Sequence, residues 1–344
     1  MKTRKVLRRL GAFLSPVTLI SLVCTGAAFA QMSKPGKITV GIPYPNANAL
    51  PIAVAQKMGY FDQENLKVEM ISLSTGDKIA YALLGGSIEI GNYTPDWFVR
   101  AIEKGGSDLR IVVGAGSDLV FSLVAPVKIR SYADLKGKRI GVSTVQAGDA
   151  RLLRKMFAAH KLGPADYVPI STGSSPQRAA ALKAGSLSAT LLAPEIAQRM
   201  IGEGGFHRLD ISSNTLKHYA WGSQTVRGDW AKANKPTLVA YIRAWIRGKR
   251  WLHDPRNGKD AIAMFAKVGK MDLDVAEKSY QSYFGPNATV GEDGEPELRG
   301  FTALLQEMAE QGQIGSPPPP PQKFIDASYW IEAMKSLKGT TAGQ

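Results

Sequence analysis

The segment ALLGGSIEIGNYTPDWFVRAIEKGG, starting at Ala82, lies without a gap over ALKAGSLSATLLAPEIAQRMIGEGG, starting at Ala181. Both copies obey A-L-x-x-G-S-[IL]-x6-P-[DE]-x3-R-x-I-x2-G-G, so Pro95 falls over Pro194 and Asp96 over Glu195. A self-match of this length marks one supersecondary unit used twice. Each copy reads as helix, strand, loop, helix. Ile79, Leu83 and Leu84 recur at helical spacing, and Gly86 closes that helix because a residue without a side chain takes the left-handed cap. Ile88-Glu89-Ile90 is expected to start a strand. Pro95 then opens a helix where its missing N–H costs nothing, and the acidic residue after it suits the positive helix start. The loop before the proline is therefore expected to point backbone donors outward.

A second correspondence extends the first. KITVGIPYP from Lys37 and KRIGVSTVQ from Lys138 are both short apolar strands that empty into polar loops before helices. Strands alternating with helices imply a mostly parallel sheet covered on both faces. The expectation is an α/β chain of two lobes, with lobe 1 at residues 36–120 and 221–337 and lobe 2, at 125–215, inserted into it. Leu119–Val127 would carry the chain out and His218–Val226 would bring it back. Thr237–Leu252 places Leu238, Ile242, Trp245 and Ile246 on one helical face and Arg243, Arg247 and Arg250 toward the other, as a helix packed on lobe 1 with a solvated basic face would. The proline run from Pro317 is a stiff spacer before a last helix at 324–337.

Residues 1–30 read as a secretory signal peptide. Lys2, Arg4, Lys5, Arg8 and Arg9 form its charged start, Leu14–Val23 its apolar stretch, and Ala28-Phe29-Ala30 its cleavage signal. The mature chain is expected to begin at Gln31. Its loss removes five cationic residues and lowers the formal charge from +14 to +9. The remaining charge is scattered, which suits solubility and the steering of anionic ligands better than a nucleic-acid surface. Cys24, the only cysteine, leaves with the signal, so the mature chain has neither disulfide nor thiol chemistry.

Motifs for catalysis fail one after another. Gly114-Ala115-Gly116 follows a strand, but Leu119 occupies the third glycine position of a dinucleotide fingerprint. Gly148 has no lysine after it, which excludes a phosphate-binding lysine loop, and Gly141-Val142-Ser143-Thr144-Val145 lacks the second glycine of a nucleophile elbow. His160, His207, His218 and His253 share no metal-ligand spacing. Asp96, Asp149 and Glu195 stand at predicted helix starts, where capping explains them.

Two lobes, two crossings and a signal peptide resemble the periplasmic solute-binding proteins of ABC importers. GYFDQENLKVEM at 59–70, ALLGGSIEIG at 82–91 and DLKGKRIGVS at 134–143 are similar to the branch serving nitrate, alkanesulfonates and taurine. That branch also resembles yeast enzymes that build the thiamine pyrimidine. Those carry a cysteine-rich signature that this mature chain lacks, whereas binding proteins for pyrimidine precursors need none. The resemblance implies a two-lobed (type II) fold, a monomer in the periplasm, and delivery of the bound solute to a membrane permease, with no enzyme activity, cofactor, metal or nucleic-acid partner.

The ligand is then expected where the strands of the two sheets end. Ser143, Thr144 and Gly148 would present hydroxyls and backbone N–H groups at a helix start, an arrangement that favours a carboxylate or sulfonate. Tyr44, Asn46, Ser74, Thr75, Asn92, Tyr93 and Thr94 would face them from lobe 1. Tyr44, Tyr93, Trp97 and Trp221 could form an aromatic wall, and Asp96, Asp149 or Glu195 could meet an amine. No arginine lies in these loops, and Arg151 and Arg178 sit just inside the following helices. A small organic anion or a zwitterion such as taurine fits this set better than phosphate or sulfate.

Overall fold

The computed structural model describes residues 35–117, 121–215, 220–285, 291–296 and 298–341. Among the described residues ten strands form two five-stranded sheets. The first contains β1 (Gly36–Ile42), β2 (Leu66–Ser72), β3 (Ile90–Tyr93), β4 (Leu109–Ser117) and, from much later in the chain, β10 (Ala220–Arg227), in the order β2-β1-β3-β10-β4. The second contains β5 (Ser122–Pro126), β6 (Arg139–Val142), β7 (Val168–Ser171), β8 (Ala189–Leu192) and β9 (Phe206–Ile211), in the order β7-β6-β8-β5-β9. β1 runs parallel to β2 and β3, as β6 does to β7 and β8. The fold is α/β in two lobes, each a mainly parallel sheet flanked by helices.

The segments read as crossings are themselves strands. β5 is antiparallel to β8 and β9, and β10 is antiparallel to β3 and β4. Each sheet therefore takes one reversed strand from a segment that enters from the other lobe. Leu119 and Val120 of the first crossing, and His218 and Tyr219 of the second, lie outside the described residues.

The repeat occupies equivalent places in the two sheets. Gly86 and Gly185 share a φ of +74°, and the amides of Ser87 and Ser186 return to the carbonyls of Ala82 and Ala181 at 2.9 and 3.1 Å, closing both helices with a left-handed glycine. Pro95 and Pro194 open the helices Pro95–Gly105 and Pro194–Gly202. The strand of the first copy starts at Ile90 rather than Ile88. Glu89 still extends the ladder, because its carboxylate accepts the Thr39 N–H at 2.7 Å.

The helix Lys235–His253 buries Leu238, Ile242, Trp245 and Ile246 in a cluster with Ile38, Val40 and Ile90 of the first sheet. Its basic face is engaged rather than merely solvated: Arg243 pairs with Glu64, Arg247 bonds Gln63 and covers the Tyr60 ring, and Arg250 pairs with Asp293. The last helix starts at Ser328, not Phe324. Phe324 is fully buried, and the stretch around it bridges Ile325 to Ile111 at the edge of β4. Among the described residues no helix is long and apolar enough to cross a membrane.

Candidate functional site

The ends of β1, β3, β6 and β8 deliver their loops to a cleft between the two sheets. Tyr44, Asn46, Ser74, Asn92, Tyr93 and Thr94 line it from the first lobe, and Ser143 and Gly148 from the second. Three other expected residues stand behind this lining. The hydroxyls of Thr75 and Thr144 are buried, with no hydrogen-bond partner among the described residues, and Glu195 reaches the cleft only through the tyrosines bonded to it. The side chain of Trp221 lies outside the described residues. Trp97 is no part of the cleft lining: its ring backs onto Gly76 and lies under the Arg100 guanidinium at 4.1 Å.

The loop after β6 holds an anion of its own. Asp149, at the start of the helix Gly148–Ala159, accepts the Ser143 amide at 2.8 Å and the Ser143 hydroxyl at 2.6 Å. The Ser143 donors expected to face a ligand are thus taken up inside the loop. Arg178 stands 3.3 Å from the same carboxylate. Its guanidinium donates to the carbonyls of Leu191 and Gly173 and to the Ser175 hydroxyl. The guanidinium is therefore fixed in the wall of the cleft, with opposite charges side by side.

Two further acids join the lobes. Asp96 bonds Arg100 of its own helix at 2.9 Å and Arg151 of the second lobe at 3.3 Å. Burial pushes its carboxyl up, but Arg151 and then Arg100 outweigh this and hold it below the ordinary range. Glu195 accepts the Tyr44 hydroxyl at 3.1 Å and the Tyr283 hydroxyl at 2.9 Å. Burial raises its pKa against the opposing pull of these bonds. Burial, and then the Glu195 charge, push both tyrosines well above their ordinary value.

Sequence reasoning missed several lining residues. Asn48 lies two positions past the recognised loop. Ser174 and Ser175 follow β7 in the same strand, polar loop, helix order that marked the other loops, so that signal was present. Arg178 reads from sequence only as a residue just inside a helix, and Asp149 reads as a helix-start acid that could meet an amine. Phe121 and Tyr283 also line the cleft, and no local pattern distinguishes Tyr283 from other helical tyrosines. Among the described residues no group of three or more His, Cys, Asp or Glu gathers as a metal site would need.

The family model for NMT1-like proteins matches residues 32–266, most of the chain. The chain belongs to the NMT1-like family. No curated protein matches it. Among solved structures, this NMT1-like chain is similar to the alkanesulfonate-binding protein SsuA from Xanthomonas axonopodis pv. citri bound to MOPS, at 20% identity and a TM-score of 0.70 over 86% of this chain and 99% of that one. The periplasmic nitrate-binding protein NrtA from Synechocystis matches at 13% identity and a TM-score of 0.74, over 89% and 90% of the two chains. The ligand-binding component of an ABC-type import system from Staphylococcus aureus, with zinc bound, matches at 15% identity and a TM-score of 0.75, over 87% and 99%. At these identities the likeness establishes the fold.

Proposed function

We propose that this protein is the periplasmic solute-binding component of an ABC importer, which captures a small organic anion or zwitterion in the interlobe cleft and delivers it to a membrane permease without chemical change. In this reading residues 1–30 are removed on export. Lobe 2, residues 125–215, is inserted into lobe 1, residues 36–120 and 221–337. The observation that carries the proposal is the convergence of polar strand-end loops from both sheets on one cleft. A solute touching both walls favours the closed arrangement, because only that arrangement makes both sets of contacts. The similar alkanesulfonate-binding, nitrate-binding and importer proteins support the same reading.

The charges of the cleft favour the zwitterion within that class. Arg178 offers a cation to an anionic end beside the first turn of the helix Ser175–Lys183, and Asp149 offers a carboxylate to an ammonium end. The aromatic rings of Tyr44, Tyr93 and Tyr283 give the body of the solute an apolar bed. Mass spectrometry of the solute that co-purifies, followed by calorimetry, tests this reading. Asp149→Asn should weaken a zwitterion roughly tenfold, about 1.4 kcal/mol, while simple anions keep or gain affinity. Conversion of the solute during titration would replace the binding reading with an enzyme.

A further inference from the structure

Behind the first-lobe wall of the cleft, Lys249 is 1% exposed on the buried face of the helix Lys235–His253. Its Nζ has no hydrogen-bond partner among the described residues. The same holds for Nε1 of Trp245, one turn earlier, over whose ring Nζ sits in a cation–π contact 5.2 Å from the centroid. Both side chains line a small cavity completed by Ala47, Asn48, Pro51, Tyr283 and Phe284, with room for about one water-sized particle. No carboxylate lines it. The Tyr283 hydroxyl is already given to Glu195.

A buried ammonium over an aromatic face still lacks a hydrogen-bond acceptor, and two such donors on residues lining one void call for one. We propose that this cavity binds a single small monoanion of the halide class, held by the Lys249 ammonium and the Trp245 indole N–H. Asn48 and Tyr283 line both this cavity and the ligand cleft, so the anion steadies the cleft wall from behind. Lys249 also borders a separate solvent-open pocket with Glu292, Asp293, Glu295 and Trp330.

The neighbouring charges agree with this assignment. Burial pulls the Lys249 pKa down to about 7, against the pull of Asp293 in the other direction. Asp293 is itself paired with Arg250. His253, one turn beyond, is lowered to about 4 by burial and then by Lys249, so it is neutral near pH 7. An anion beside Nζ supplies the missing counter-charge, and its affinity should fall as pH rises through about 7.

Bromide is the probe. Crystals of the full chain grown in sodium bromide should show one anomalous peak within hydrogen-bond reach of Lys249 Nζ and Trp245 Nε1. At constant ionic strength, replacing gluconate by chloride or bromide should raise the wild-type melting temperature, and Lys249→Met should weaken that response more than tenfold in half-saturating concentration. Absence of the peak in the wild-type crystal, or water alone at the site, overturns the proposal. So does an undiminished halide response in a folded Lys249→Met chain. If that variant fails to fold, the wild-type peak decides alone. Neither measurement uses the transported solute, so the outcome is independent of the solute-binding reading.

Discussion

Asp96 and Glu195 occupy the same position in two copies of one unit, the residue after the proline that opens a helix, and both are buried. Their chemistry is opposite. Asp96 faces two guanidinium groups and is held ionised, whereas Glu195 faces two phenols and has its pKa raised. In each case a decisive partner comes from the other lobe: Arg151 for Asp96, and Tyr44 with Tyr283 for Glu195. The repeat preserves the turn, the helix start and the acid, while the facing lobe decides what that acid does. One contact between the lobes is an ion pair and the other a pair of hydroxyl hydrogen bonds.

The largest test of this contrast removes the charge from Asp96. Asp96→Asn removes a buried carboxylate that Arg100 and Arg151 share, which should cost about 3–5 kcal/mol in chemical denaturation at neutral pH. Because the folded pKa of Asp96 is depressed, its stabilisation is present above the unfolded value of about 3.9 and is lost as pH falls through the lower folded value. The deficit of Asp96→Asn should therefore shrink in acid. Glu195 has the reverse sign. Its folded pKa is raised, so the wild type loses stability as pH rises from about 4.3 through that higher value. The stability of Glu195→Gln relative to wild type should thus grow more favourable with pH. Parallel pH profiles for the two variants would show that the environments are alike after all.

What the sequence made legible was local. The glycine cap, the proline start and the alternation of strands with helices follow from a few residues each, and both copies of the repeat place them in equivalent parts of the two sheets. Eight expected site residues line the cleft because strand-end loops were recognised by composition. What stayed hidden depends on residues distant in sequence. The use of Ser143 by Asp149, the place of Arg178 in the wall and the reach of Tyr283 to Glu195 all need the folded chain. Lys249 is an intermediate case. It falls four residues after Trp245, on the apolar face, yet a helical pattern alone cannot tell a buried lysine from one at the margin.

A smaller test concerns one bond of the Glu195 contact. Tyr283→Phe removes the hydroxyl from Oε2 while keeping the ring in place. Loss of a single hydrogen bond to a buried acceptor should cost about 1–2 kcal/mol in denaturation. Solute affinity should fall as well, because Tyr283 lines the cleft. A stability equal to wild type would mean that Tyr44 alone satisfies Glu195.

The smallest expected difference lies between the two glycine caps. Gly86 and Gly185 have the same positive φ, so alanine at either position pays the same left-handed strain, roughly 1–2 kcal/mol. Steric surroundings add little. A methyl group at Gly185 meets nothing within 4 Å, and one at Gly86 meets only the Arg227 guanidinium at ordinary contact distances of 3.7 to 3.8 Å. Gly86→Ala and Gly185→Ala should therefore lower stability by amounts that agree within about 0.5 kcal/mol, the usual error of additivity at distant sites. The Arg227 side chain donates to the carbonyls of Leu83 and Ile88 around the first cap. An excess cost confined to Gly86→Ala would trace to displacement of that arginine, and Arg227→Ala in the same background should then abolish the excess.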